Sequence, residues 1–111
     1  MEPTNGAGPY SIGSDIWPGL SKLIEEAGEV LQVGGKLLGT GGNPQHWDGS
    51  NLRERMLLEL ADLHAAIVFF LVSNYDSGTS EAEFKERRRQ KLEQFEAWHQ
   101  EGWRNLGYGT K

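Results

Sequence analysis

Four carboxylate side chains carry the clearest chemical pattern in this sequence of 111 residues. They form two pairs with a spacing of three residues, Glu26 with Glu29 and Glu59 with Asp62. Residues three apart are neighbours on one side of a helix, so each pair points its oxygens in one direction. Two such pairs on facing helices form a set of oxygen ligands, which favours Mg²⁺ or Mn²⁺ over zinc.

The second pair is the more informative because it interrupts an apolar stretch. Glu59 and Asp62 lie among leucine, isoleucine and phenylalanine residues. An ionised carboxylate in apolar surroundings is costly unless it is paired, protonated or bound to a metal. We therefore predict that a divalent cation balances these charges. For the first pair a second interpretation stays open, in which Glu25 and Glu29 pair with Lys22 on a solvated face.

Two histidine patterns are weighed against the carboxylates. His64 follows Asp62 by two residues and points about 200° away around a helix, so we expect it in the core or in an interface. A di-iron carboxylate bundle needs Glu-x-x-His on two helices, and only Glu96 and His99 have this spacing. The sequence therefore argues against a di-iron centre.

The segments around the two carboxylate pairs resemble the MazG-like, all-α nucleoside triphosphate pyrophosphohydrolases. Residues 23–30 read Leu-Ile-Glu-Glu-Ala-Gly-Glu-Val, and residues 58–63 read Leu-Glu-Leu-Ala-Asp-Leu. The signature of this family is Glu-x-x-Glu followed, one helix later, by Glu-x-x-Asp, and both motifs are present. The resemblance covers residues 17–100, with a spacer over residues 30–58 that is at or beyond the usual upper length.

The resemblance implies hydrolysis of a nucleoside triphosphate between its α- and β-phosphates, for a task such as clearance of the nucleotide pool. It implies that the four paired carboxylates, Glu26, Glu29, Glu59 and Asp62, hold Mg²⁺. Glu25 or Glu29 would accept a proton from the attacking water. Such chemistry depends on charge neutralisation more than on a protein nucleophile. The related phosphoribosyl-ATP pyrophosphohydrolases share these motifs, so their activity is an alternative.

Three basic residues are candidates for phosphate contacts. Arg55 precedes Glu59 by one turn, and Arg88 and Lys91 fall on the apolar side of the third predicted helix. Cations on an apolar face require anions, which a triphosphate would supply. Two alternatives are pairing with the carboxylates and coverage of the aromatic stripe by the long aliphatic stems.

Three ring-bearing residues are candidates for contacts with the base: Trp17, His46 and Trp47. Stacking on a base is one use for an exposed tryptophan. The alternative is that each tryptophan folds back as a cover over the small core.

Hydrophobic periodicity predicts an all-α fold, a bundle of three to four helices. Apolar residues recur at intervals of three and four, as on one face of a helix. A glycine-rich loop separates the first two helices. The predicted elements are a flexible N-terminal arm (1–16), a helical domain (17–101) with helices over about 18–38, 51–73 and 80–101, and an irregular C-terminal tail (102–111).

The second predicted helix implies a partner subunit. Residues 60–72 are apolar almost all the way round, and such a helix must be buried on every side. Three helices from one short chain cannot enclose it. We therefore predict that a homodimer or homotetramer completes the bundle.

The composition and length of the chain argue against several other classes of protein. The chain has no cysteine, which removes disulfides and thiolate metal sites, and its length fits one domain. Its formal net charge of −5 argues against a nucleic-acid partner. We expect a cytoplasmic protein with no membrane segment, because no stretch approaches about 20 uninterrupted apolar residues. The alternative to an enzyme is a non-catalytic helical interaction module, in which Arg55, Arg88 and Lys91 neutralise the carboxylates.

Overall fold

The computed structural model describes residues 8–105, with side chains described as far as Trp103. This part of the chain is all-helical, which confirms the all-α character predicted from the sequence. It contains no strand, only an isolated bridge between Gln45 and Asn51. Residues 1–7 of the predicted arm and residues 106–111 of the predicted tail lie outside the described range. The helices are α1 (Leu20–Gly39), α2 (Leu52–Asn74) and α3 (Thr79–Asn105).

The chain divides into two compact units, the first ending at Asn74 and the second beginning at Tyr75. In the first unit α1 and α2 pack as an antiparallel pair. The start of α1 lies against the end of α2, where the Asn74 side-chain amide donates to the carbonyl of Pro18 at 2.9 Å. The same amide donates to the carbonyl of Phe70 at 2.9 Å, so Asn74 ties the two helix ends together.

Residues 8–19 form hydrogen-bonded turns in the region where the sequence predicts a flexible arm. The Gly19 amide donates to the carbonyl of Ser11 at 3.1 Å, and the Ser21 amide donates to that of Tyr10 at 2.8 Å. Ser11 is buried, and its hydroxyl donates to the carbonyl of Gly8 at 2.6 Å. Backbone hydrogen bonds fold this segment over the start of α1 despite its low apolar content.

The backbone of Gly19, which directly precedes α1, packs closely against α2. Its φ of 88° lies in the left-handed region, where a side chain is disfavoured. A Cβ atom at this position would lie 2.7 Å from Cδ2 of Phe69 and 2.8 Å from Cε2. The backbone of Gly19 therefore packs directly on the Phe69 ring, and no other residue type fits without movement.

Side-chain and backbone hydrogen bonds close the loop between α1 and α2. The Gly42 amide donates to the carbonyl of Leu37 at 2.8 Å, and the Leu52 amide donates to that of Pro44 at 2.7 Å. Asn51 Oδ1 accepts from the Glu54 amide at 3.1 Å and caps α2. The glycine-rich segment is thus a loop with internal bonds.

The second unit consists mainly of α3, which runs four residues past its predicted end at Glu101. Gly102 lies inside the helix, because a single glycine weakens a helix by only about 1 kcal/mol relative to alanine. Three ion pairs on its surface join residues one turn apart: Lys85 with Glu81, and Arg89 with both Glu86 and Glu93.

The first unit has a small core and a large uncovered apolar face. Val33 and Leu52 are fully buried, and Ala66 is nearly so. By contrast, Leu57, Leu58 and Val72 of α2 are 65–77% exposed.

By length and composition α2 is the one helix in residues 8–105 that is able to cross a membrane. Only 6% of its most apolar stretch is buried within the single chain. The core helix of a soluble protein passes the same test of length and composition but is mostly buried. Glu59 and Asp62 near the middle of α2 are costly in a bilayer unless they are paired or face a protein interior or water.

Candidate functional site

A cleft between α1 and α2 brings together one residue from each of the two predicted carboxylate pairs. Glu26 from α1 and Asp62 from α2 both line it, and its volume is about 320 Å³. We call this the α1–α2 cleft. Its full lining is Ile12, Gly19, Lys22, Glu26, Asp62, Ala65, Ala66 and Phe69.

Glu26 has the most informative electrostatic environment in the cleft. Partial burial raises the pKa of its carboxyl group above the ordinary value, and repulsion from Asp62 raises the pKa further. Glu25 and Glu59 act in the same direction, while Lys22 lowers the pKa. The negative charges of both helices therefore meet around Glu26 without full compensation.

Few cations within residues 8–105 compensate these carboxylates. Glu59 is 17% exposed and lies 3.9 Å from the Arg55 guanidinium, which is a loose ion pair. Neither Glu26 nor Asp62 has an ion pair within 4 Å in the described part of the chain. Asp62 is exposed, contrary to the expectation of burial from its apolar neighbours. Burial of Asp62 would require atoms from outside the hairpin.

The other two α1 carboxylates lie outside the cleft lining. Glu25 is exposed and accepts a hydrogen bond from the Lys22 ammonium, as the surface interpretation of this segment anticipates. Glu29 is half-buried. Within residues 8–105 no group of three or more histidine, aspartate or glutamate side chains converges closely enough to hold a metal ion. The four predicted ligands are thus distributed over two facing helices, without a preformed cage.

The predicted phosphate contacts belong to different units. Arg55 lies on α2 beside Glu59. Arg88 and Lys91 lie on α3, where the Lys91 ammonium sits 5.6 Å from the centre of the Phe95 ring. This placement follows the alternative in which a basic stem covers the aromatic stripe. The approach of Arg88 and Lys91 to the carboxylates stays a prediction.

Trp17 packs against α2. Its ring is stacked on Phe70, with centroids 5.8 Å apart and an angle of 9° between the planes. The side chain is half exposed. This arrangement matches the alternative in which the tryptophan covers the core. His64 is exposed, so it is not a core residue of this chain, and its place in an interface stays a prediction.

His46 and Trp47 lie at the tip of the loop before α2, but in opposite environments. Trp47 is 89% exposed. The His46 side chain is 10% exposed, and its Nδ1 lies 2.9 Å from Oδ1 of Asp48. The same oxygen accepts from the Ser50 hydroxyl at 2.6 Å and from the Ser50 amide at 3.0 Å. Asp48 therefore holds the loop that presents Trp47.

The hydrogen bonds that Asp48 accepts from His46 and Ser50 lead to a prediction for the pH dependence of the loop. Hydrogen bonds from the Ser50 side chain, from its amide and from His46 hold the Asp48 pKa well below its ordinary range. A lowered folded-state pKa stabilises the loop above the ordinary pKa, and this stabilisation is lost only as the pH falls toward the folded value. We expect the fluorescence anisotropy of Trp47, taken as the difference between the wild-type chain and Trp47→Phe, to report an ordered loop at about pH 4, near the ordinary aspartate pKa.

The control for this prediction is Asp48→Ala, which removes the acceptor. It should lower the Trp47 anisotropy at neutral pH without changing the helical circular dichroism. An unchanged anisotropy in this variant would show that Asp48 does not order the loop.

Sequence reasoning overlooked several residues of this region. Lys22, Ile12 and Phe69 line the cleft, yet none was a predicted site residue. Phe69 gave no distinguishing signal within an apolar run. The Asp48-Gly49-Ser50 segment did give one, because an aspartate whose side chain accepts from the amide two residues later is typical of an Asx turn.

Comparison with known proteins adds no assignment: no protein-family model, no curated protein and no solved structure matches this chain.

Proposed function

We propose that this chain is a divalent-cation-dependent nucleoside triphosphate pyrophosphohydrolase that acts at the α1–α2 cleft. The observation that carries the proposal is the placement of Glu26 and Asp62 on opposite helices of one cleft, with the Glu26 pKa raised by burial and by its carboxylate neighbours. Uncompensated carboxylates of this kind are stabilised by a cation.

The residues of the cleft fit Mg²⁺ or Mn²⁺ by their chemistry. All the carboxylate donors are hard oxygens, and Mg²⁺ retains several waters, so it does not require a closed protein cage. Glu26 and Asp62 would hold the cation from the two helices, with Glu29 and Glu59 as further ligands. When bound, the cation neutralises phosphate charge and lowers the pKa of a coordinated water.

The protein side chains then bind, orient and accept protons. Glu29 is our preferred proton acceptor, through an oxygen that does not bind the cation, because Glu25 is already hydrogen-bonded to Lys22. Lys22 also lines the cleft, and its ammonium, which is paired with Glu25, would contact a phosphate oxygen by exchanging that partner. Arg55, with only a loose ion pair to Glu59, is available for a second phosphate contact.

The experiment that tests this function is a panel of nucleoside and deoxynucleoside triphosphates incubated with the full chain and Mg²⁺. The products are identified by chromatography. We expect a nucleoside monophosphate and pyrophosphate in equal amounts. Release of a nucleoside diphosphate with inorganic phosphate would place cleavage between the β- and γ-phosphates and contradict the proposal. Phosphoribosyl-ATP is included in the same panel to test for phosphoribosyl-ATP pyrophosphohydrolase activity.

The exposed apolar face of α2 supports association with a second copy. Leu57, Leu58 and Val72 are largely exposed in the single chain, and association would bury them. We expect sedimentation velocity to give a dimer or tetramer in detergent-free buffer. Leu57→Glu should shift the protein toward monomer, whereas Lys85→Glu, on the exposed surface of α3, should not. A strictly monomeric, soluble wild-type chain would contradict the proposed assembly.

The same exposed face also favours the second candidate function, a non-catalytic helical interaction module. In that function basic residues neutralise the carboxylates, and Arg55 beside Glu59 is an example. The two functions differ at Glu26 and Asp62, which have no ion pair within residues 8–105. An interaction module would show no Mg²⁺-dependent release of pyrophosphate from any nucleotide.

A further inference from the structure

The α1–α2 cleft has two chemically different ends. One end carries the carboxylates of Glu26 and Asp62, and the other is formed by Ile12 and Phe69. Asp62 and Phe69 are seven residues apart on α2, which corresponds to about 10 Å along the helix axis. The cleft therefore runs for about two helical turns from an acidic end to an apolar end.

The apolar end has room for a flat group. Ala65 and Ala66 have small side chains, Gly19 has none, and the Phe69 ring is 37% exposed. The close packing of the Gly19 backbone fixes this ring from one side. None of the residues within 8–105 that line this end offers a polar side chain, so the surface favours stacking and apolar contact over hydrogen bonding.

Lys22 lies between the two ends. It is four residues before Glu26 and three after Gly19 in the sequence, and it lines the cleft with both. Its ammonium is paired with the exposed Glu25, so an anionic group that joins a flat apolar moiety to a cation-bound polyphosphate would bind Lys22 by displacing that partner. The volume of about 320 Å³ is at the lower limit for small-molecule sites, which have volumes of about 300–1,000 Å³.

We propose that the apolar end of the α1–α2 cleft binds the nucleobase of the substrate, and that Phe69 is its stacking surface. This inference rests on the proposed function. It moves the base contact from the predicted residues Trp17 and Trp47 to the cleft itself. Trp17 is stacked on Phe70, and Trp47 lies at the tip of the loop before α2. Because no polar side chain lines this end, the base is selected by shape and not by its hydrogen-bonding edge.

The test compares a nucleotide with a base-free competitor. Steady-state kinetics of pyrophosphate release give KM for the best nucleoside triphosphate, and inorganic triphosphate is measured as an inhibitor in the same assay. Phe69→Ala should raise KM for the nucleotide about tenfold, in line with the loss of one aromatic stacking contact. The inhibition constant of inorganic triphosphate should change less than about twofold, which also shows that the variant is folded.

A second variant acts in the opposite way, by filling the space. Ala65→Leu places a larger side chain into the apolar end and should also raise KM selectively. Val68→Ala is the matched control on α2, because Val68 is exposed and does not line the cleft. It should leave both constants unchanged.

The inference is overturned if Phe69→Ala and Ala65→Leu leave the nucleotide KM unchanged. It is also overturned if they weaken nucleotide and inorganic triphosphate equally. Failure of the proposed function looks different, because the unsubstituted chain would then release no pyrophosphate from any nucleotide.

Discussion

Asp62→Asn is expected to lower kcat/KM for nucleoside triphosphate hydrolysis by about three orders of magnitude. In the proposed function Asp62 is the α2 ligand of a cation that neutralises the triphosphate, a contribution of several kcal/mol to the transition state. Asparagine keeps the size of the side chain and one oxygen but removes the charge. Because Asp62 is exposed in the hairpin and has no ion pair in residues 8–105, the helical fold should persist.

Asp15→Asn is the matched control for this prediction. Asp15 is exposed in the turns before α1 and does not line the α1–α2 cleft. The same substitution there should leave kcat/KM within about twofold, as expected for a surface site. The assignment of Asp62 would be wrong if its variant kept more than a tenth of the wild-type activity while circular dichroism showed an intact fold.

The second large effect concerns the close contact between Gly19, just before α1, and the Phe69 ring of α2. Gly19→Ala is expected to reduce the free energy of unfolding by about 2–5 kcal/mol. The left-handed backbone conformation accounts for about 1–2 kcal/mol of this loss. The overlap between the new Cβ and the Phe69 ring, 2.7 Å from its nearest atom, accounts for about 1–3 kcal/mol.

Gly13→Ala separates these two causes, since Gly13 has a similar φ of 91° but a Cβ atom there would have no heavy atom within 4 Å. Urea unfolding should therefore show a smaller loss for Gly13→Ala than for Gly19→Ala. In the double variant with Phe69→Ala the excess loss at Gly19 should largely disappear. Equal losses at the two glycines would show that the helices do not approach each other at Gly19.

The helices were predictable because their apolar residues repeat with helical periodicity over many turns. The predicted spans, about 18–38 and 51–73, differ from α1 and α2 by no more than two residues at either end. Gly102 illustrates the limit at the end of α3. A glycine beside further helix-compatible residues does not stop a helix, so the predicted end at residue 101 was too early.

Spacing predicted two carboxylate pairs on facing helices, and one member of each pair, Glu26 and Asp62, lines the same cleft. The rest of the α1–α2 cleft was not predictable from spacing, because it depends on contacts between distant segments. Gly19 against Phe69 and Ile12 beside the cleft arise from the turns of residues 8–19, which have no periodic signal. Burial of Asp62 was predicted from its neighbours, yet the hairpin leaves it exposed, because several of those neighbours, such as Leu58 and Leu60, are themselves exposed on α2.

The sign of the Glu26 pKa shift links the site to stability. Its folded-state pKa is raised by burial and by Asp62, so ionisation of Glu26 opposes folding of the metal-free chain. The stability contributed by this group is fully present below its unfolded pKa and is lost as the pH rises through the folded pKa. At neutral pH a bound cation would remove the penalty.

The most direct measurement of the cation site is therefore thermal unfolding at neutral pH with and without MgCl₂, for the wild-type chain and for Glu26→Gln and Asp62→Asn. The wild type should gain roughly 2.7 kcal/mol when Mg²⁺ is at about 100 times its dissociation constant. Both variants should lose this gain and, without Mg²⁺, be at least as stable as the wild type, because each removes a repulsive charge. An absent Mg²⁺ effect in the wild type, or variants that are destabilised without metal and still respond to Mg²⁺, would contradict a cation site between α1 and α2.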